Sequence, residues 1–342
     1  MLNMFTLRSI LRPLLMAVAM TCLVIGLNNC TQAPSSSNAP SASPAATSAM
    51  TSATGDRKIN INTSILSELD KLEAQLGIPA LSNQIQASRP YGSIDDLVSK
   101  GVLKQDQFDQ IKDQVTVEDI VLTGEAKDVD YLTKLGLMKG HMLIADQLLK
   151  LNLPDQAEPH LGHPVEEIYV DIQEQLPERK VPEFSASLTA VQDLVKSKPN
   201  DPKVATEFSS AMSGIDKAIA VLPATQMQSP EFVLQAMTEM LDTAAAEYIA
   251  SISGGKITAA IEYQDSMGFV NYVKDTMFKS IEAKLTQQDA PLAKDLRSKL
   301  DNLAKAWTQP VPPTAPVVSA DEVANQVKAI EQAVASLKKT AA

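Results

Sequence analysis

His141, His160 and His163 are the only histidines in this 342-residue chain, and they fall close together. Neutral imidazole is the commonest side-chain ligand for first-row metals, so a metal site is the first chemistry to consider. His160 and His163 stand three apart in Glu-Pro-His-Leu-Gly-His-Pro, where glycine and proline predict a turn and Pro164 the first position of the next helix. On that reading Glu166 and Glu167 lie one turn into the helix, within reach of the His163 ring. His141 borders the apolar face formed by Leu135, Met138, Met142, Ala145 and Leu149. Each histidine alone serves equally well as a cap or a hydrogen-bonding group in a polar seam. It is the set that points to a metal.

Two later stretches offer carboxylates. Glu247 follows Met240 and Ala244 at helical spacing, and Glu262 and Asp265 are one turn apart beyond Gly254-Gly255. A carboxylate facing a helical core must pair, protonate or hold a cation; salt bridges to Lys256 or Lys274 are the alternative here. The candidate ligands are His141, His163 and Glu166, with His160, Glu167, Glu247 and Glu262 behind them. Imidazole and carboxylate without thiolate suit Zn²⁺, Fe or Cu(II), and Met138 and Met142 beside His141 tolerate Cu(I). The two cysteines, Cys22 and Cys30, lie in or at the end of the N-terminal apolar segment, so the rest of the chain has no thiol. There is no Gly-x-Ser-x-Gly elbow, phosphate loop, dinucleotide fingerprint or His-Glu-x-x-His helix, so the expectation is a protein that is not an enzyme.

The elements that must position these residues are helical. Apolar residues recur at helical spacing, and no segment alternates convincingly as a strand, which predicts an all-α fold. Short helices are expected over 64–75, 80–87, 93–100 and 105–114, with Ser93 as a cap. Long ones follow over 126–151, 164–175, 182–198, 202–221, 230–253, 256–285 and 290–307. Pro164, Pro182, Pro202 and Pro230 each stand near a helix start. The domain organisation read from this is a small module over 57–125, an antiparallel helical bundle over 126–308 carrying the histidines, a Pro-rich linker over 309–319, and a C-terminal amphipathic helix over 320–342. In that last helix Val323, Val327, Ile330 and Val334 share one face.

Residues 1–30 run from Arg8 and Arg12 into an apolar stretch, the pattern of an export signal. Residues 31–56 are a Ser/Ala/Pro tether unable to bury a core. Leu27-Asn28-Asn29-Cys30 ahead of that tether resembles a bacterial lipoprotein signal, which implies lipidation at Cys30. Cleavage further on and an uncleaved anchor are the alternatives. The expected location is outside the cytosol, in the periplasm, envelope or lumen, with the N-terminus held to a membrane. A formal net charge of −11 repels phosphate backbones.

Residues 59–115 read Ile-Asn-Ile-Asn-Thr-Ser, then Leu-Gly-Ile-Pro-Ala, then Arg-Pro-Tyr-Gly-Ser-Ile-Asp-Asp-Leu. In that order these motifs resemble the tandem helix-hairpin-helix domain of the ComEA competence proteins and of the photosystem II subunit PsbU. In DNA-binding members the hairpin amides hold a phosphate. Here the hairpin turns carry Gly77 and Gly101, but the second glycine of each is replaced, by Pro79 and Leu103. Over 59–125 five cationic residues stand against eleven carboxylates. Nucleic acid is therefore not the expected partner; an envelope protein is. His163-x-x-Glu166 in an exported helical chain is similar to the His-x-x-Glu motif of imelysin-like and EfeO/EfeM-type periplasmic proteins, which implies metal uptake. The reading is a metal-binding protein at the envelope; a scaffold using the hairpin module, and a ComEA-like DNA receptor, are its alternatives.

Overall fold

The structure, a computed structural model, describes residues 58–118 and 121–340. The expected export signal and tether, and with them Cys30, lie outside the described residues. Ile59–Asn60 (β1) pairs in parallel with Val115–Thr116 (β2) and closes the N-terminal region. Between them run α1 (Leu66–Leu76), α2 (Leu81–Ala87), α3 (Asp96–Ser99) and α4 (Gln105–Ile111). Ile61, Leu69, Leu72, Leu81, Ile85, Leu97, Phe108 and Ile111 make a core of their own. Ser93 does not cap: Asp96 turns back instead, its Oδ2 accepting from the Gly92 and Ser93 amides at 2.7 and 3.2 Å.

The described residues from 121 on form a helical bundle: α5 (Gly124–Lys150), α6 (Pro154–His163), α7 (Tyr169–Ile172), α8 (Gln175–Glu178), α9 (Ser185–Ser197), α10 (Lys203–Ala220), α11 (Ala224–Met227), α12 (Pro230–Ala250), α13 (Ala260–Tyr272), α14 (Lys279–Gln288), α15 (Ala290–Leu303) and α16 (Ala320–Thr340). The fold is all-α. Its only other strands among the described residues are a two-residue hairpin, Ile252–Ser253 (β3) and Lys256–Ile257 (β4), turned by Gly254 and Gly255 at positive φ. The helix expected from 256 therefore begins only at Ala260. Pro230 occupies the first turn of α12, as the sequence predicts, with Ser229 Oγ accepting from the Phe232 amide.

Pro164 does not start a helix. The chain is already helical from Pro154, and at Pro164 it widens into a π turn, Pro164–Ile168, closed by the Tyr169 amide donating to the Pro164 carbonyl. Proline has no N–H for the preceding turn, and a π turn relieves the misfit without ending the helix.

One apolar core joins α5, α6, α9, α10, α12, α13, α15 and α16. On α16, Val323, Val327, Ile330 and Val334 are buried in it. The N-terminal region is not separate from this core, because Ile65 leads into α1 and is buried in it too. No helix among the described residues is long and apolar enough to cross a membrane.

Candidate metal centre

Helices α5 and α13 approach so closely at Gly140 and Gly268 that no side chain fits between them. A Cβ on Gly140 would lie 2.5 Å from Phe269 Cδ1 and 3.1 Å from the Gly268 carbonyl carbon. His141 is next to the first glycine, and Asp265 lies one turn before the second. Close backbone approach thus carries His141 Nδ1 to 2.6 Å from Asp265 Oδ1. From α6, His160 brings its Nδ1 to 2.7 Å from the same oxygen. His163, three residues on and so on the same helical face, sets its Nδ1 3.3 Å from Asp265 Oδ2.

Four residues thus offer ligand atoms within 4.8 Å of one another: His141, His160, His163 and Asp265. The His141 and His163 rings meet edge to face at 4.9 Å, and Phe269 closes the far side of His141, also at 4.9 Å. His141, His160 and Asp265 are buried, while the His163 side chain is 25% exposed and marks the open side.

The electrostatics follow from this packing. Burial alone would raise the Asp265 carboxyl, but the three imidazoles hold it well below the usual carboxylate range. Burial pushes His141 down, and Asp265 only partly offsets it. Burial also opposes charge on His163, yet Asp265, Glu167 and Glu166 outweigh it and push that ring up to about 9. A carboxylate oxygen only accepts, so two ring nitrogens within 2.7 Å of Asp265 Oδ1 require either protons or a cation between them and it. Imidazole nitrogens and one carboxylate converging in a buried spot are a donor set for a first-row divalent metal.

The structure brings together the three histidines expected from the sequence but not the four expected glutamates. Glu166 is exposed, and its Oε1 accepts from Gln192 Nε2 of α9 at 2.8 Å. Gly162 admits that glutamine, since a Cβ there would lie 2.7 Å from its Nε2. The expected turn at 160–163 would have aimed Glu166 at His163; the unbroken helix and π turn aim it at α9 instead.

Glu167 and Glu247 are taken up by the start of α1. The Leu66 amide lowers the Glu167 carboxyl and the Ser67 hydroxyl the Glu247 carboxyl, each against a larger opposing effect. Burial raises both carboxyls, Glu247 well above its usual value with Asp70 adding to the effect. Asp70 itself, buried on α1, is pushed up to about 7 by burial and then by Glu73, Glu262 and Glu167. Glu262 is also raised, chiefly by burial. These carboxyls flank the four-residue cluster without joining it.

Asp265, which the sequence offered beside Glu262, is the member of the cluster that sequence reasoning did not put among the candidate ligands. It stands one turn from Glu262 in a helix buried on nearly all sides, with Tyr263, Gln264, Asp265, Ser266 and Met267 in succession. The available signal was a charged residue in a stretch too apolar to solvate it.

Residues 223–341 match the family model described as iron permease-associated 4-helix bundle domain. That stretch runs from α11 to α16 and contains Asp265, Glu247 and Glu262, but none of the three histidines. No curated protein and no solved structure matches the chain.

Proposed function

We propose that this chain binds a first-row transition metal through His141, His160, His163 and Asp265 as cargo, in metal acquisition or handling at the cell envelope, and that it is not an enzyme. The observation that carries this reading is Asp265, whose two oxygens receive the Nδ1 atoms of all three histidines within 3.3 Å. Such convergence has no packing advantage in a core that could use apolar residues, and a divalent cation satisfies all four groups at once.

The match of 223–341 to a domain associated with iron permeases favours iron among the metals this donor set accepts, with Zn²⁺ and Cu(II) next. The N-terminal pattern read from the sequence supports a site outside the cytosol. Nucleic acid finds little support: Glu73 Oε1 accepts from the Ala80 amide at 2.8 Å, and its Oε2 from the Ser82 amide at 3.2 Å. The first hairpin's amides thus already hold an anion of their own chain.

Elemental analysis of the purified chain after loading with Fe(II), Zn²⁺ or Cu(II) and gel filtration tests the reading. About one equivalent of metal is expected for the natural sequence, and little for a His141→Ala/His163→Ala double variant. Equal metal in both would overturn it.

A further inference from the structure

His160 has two nitrogens and two polar neighbours, and the chemistry of the second neighbour decides which nitrogen faces the centre. Its Nδ1 is 2.7 Å from Asp265 Oδ1, and its Nε2 is 2.9 Å from Gln264 Oε1. The amide nitrogen of Gln264 lies 3.1 Å from the Pro310 carbonyl and 2.8 Å from Gln156 Oε1. A backbone carbonyl accepts and never donates, so the Gln264 atom facing Pro310 has to be the NH₂ group. Its oxygen then faces His160 and needs a donor there, which only Nε2–H supplies. The proton on Nε2 leaves Nδ1 as the nitrogen free to bind a cation.

The arrangement is held firmly. Gln264 is 1% exposed and His160 not at all. The segment that supplies Pro310 is stitched to α13 just ahead of that residue: Trp307 Nε1 donates to Ser266 Oγ at 2.8 Å, and the Tyr263 hydroxyl donates to the Gln309 carbonyl at 3.3 Å. Three side chains of one helix thus fix the start of the Pro-rich linker, and the linker in turn fixes the amide of Gln264.

We propose that Gln264 is a positioning residue of the metal centre, oriented by the Pro310 carbonyl so that His160 carries its proton on Nε2 and binds metal through Nδ1. The inference rests on the metal reading above and adds the binding nitrogen and what selects it. A ligating histidine whose remote N–H has a fixed acceptor is held in tautomer and orientation, and loss of such a partner lowers metal affinity about 10- to 100-fold.

The test uses the full chain loaded with Zn²⁺, which is diamagnetic, and long-range ¹H–¹⁵N correlation of ¹⁵N-labelled histidine. The expected spectrum shows His160 protonated at Nε2 and metal-shifted at Nδ1. In Gln264→Met, which keeps the volume and removes the acceptor, the Nε2–H signal is expected to broaden or vanish, and Zn²⁺ affinity to fall about 10- to 100-fold. A natural chain with His160 bound through Nε2, or a Gln264→Met variant with unchanged His160 signals and affinity, would overturn the proposal while leaving the metal site standing. No Zn²⁺-dependent shift at any histidine would overturn both. The spectrum of the natural chain decides the binding nitrogen even if a variant fails to fold.

Discussion

Gly140 of α5 and Gly268 of α13 pack backbone against backbone, and this contact sets the distance between His141 and Asp265. A Cβ on Gly268 would come within 2.9 Å of the Gly140 carbonyl carbon and 3.3 Å of Ile144 Cβ. Alanine in place of a mid-helix glycine ordinarily stabilises by about 0.5–1 kcal/mol. Here the neighbours are backbone atoms that cannot turn aside, so Gly268→Ala should instead destabilise by about 1–3 kcal/mol and weaken metal binding. Urea unfolding measures the first effect and metal titration the second. A midpoint equal to or above that of the natural chain would show that the contact is looser than described.

Asp265 receives all three imidazoles, so its replacement should be more damaging than that of any neighbouring carboxylate. Asp265→Asn keeps the shape but removes the anion that charge-balances the cation. We expect metal affinity to fall by at least about 100-fold, a change of about 2.7 kcal/mol. Glu166→Gln, altering a side chain held by Gln192, should leave it within about twofold, since exposed substitutions away from a site change energies by no more than about 0.5 kcal/mol. Calorimetric titration with Zn²⁺ ranks the two, and a reversed order would remove Asp265 from the centre.

Glu331 on α16 faces Asp242 on α12 in a shared carboxyl pair, with Lys71 and Lys328 nearby. Burial first, and then the neighbouring Asp242 carboxyl, push Glu331 up to about 8 against a usual value of 4.5. The folded chain therefore keeps this proton where the unfolded chain has lost it. Stability from the pair is full below about 4.5 and is lost as pH rises through about 8. Asp70, raised to about 7, acts in the same direction over a lower window. The melting temperature should thus drop from pH 5 to pH 8.5, and in Glu331→Gln it should drop less. A melting temperature that rises over that interval in both proteins would contradict the assignment.

Glu73 fills the amide cradle of the first hairpin and also accepts from the Ser82 hydroxyl at 2.9 Å. Its removal in Glu73→Ala leaves the Ala80 and Ser82 amides without that acceptor and should cost about 0.5–2 kcal/mol. Electrophoretic retardation of duplex DNA at low salt should be absent for the natural chain, whose surrounding charge is acidic. Retardation that weakens with salt would restore the DNA reading.

The sequence by itself determined the helical class, because 3.6-residue periodicity is a local property of the chain. It showed the face of α16, where Val323, Val327, Ile330 and Val334 are indeed buried, and it singled out three histidines as one set. What it could not determine was convergence at long range. His141 and Asp265 are 124 positions apart, and only the glycine contact between α5 and α13 makes them neighbours. Glu166 was within reach of His163 only if the chain turned at 160–163; the π turn at Pro164 and the approach of Gln192 gave it another partner. Glu167 and Glu247 stand outside the four-residue cluster, beside the start of α1, which comes from a different part of the chain. Periodicity tells which face a residue occupies, whereas which helix meets that face is decided by close packing of the whole chain.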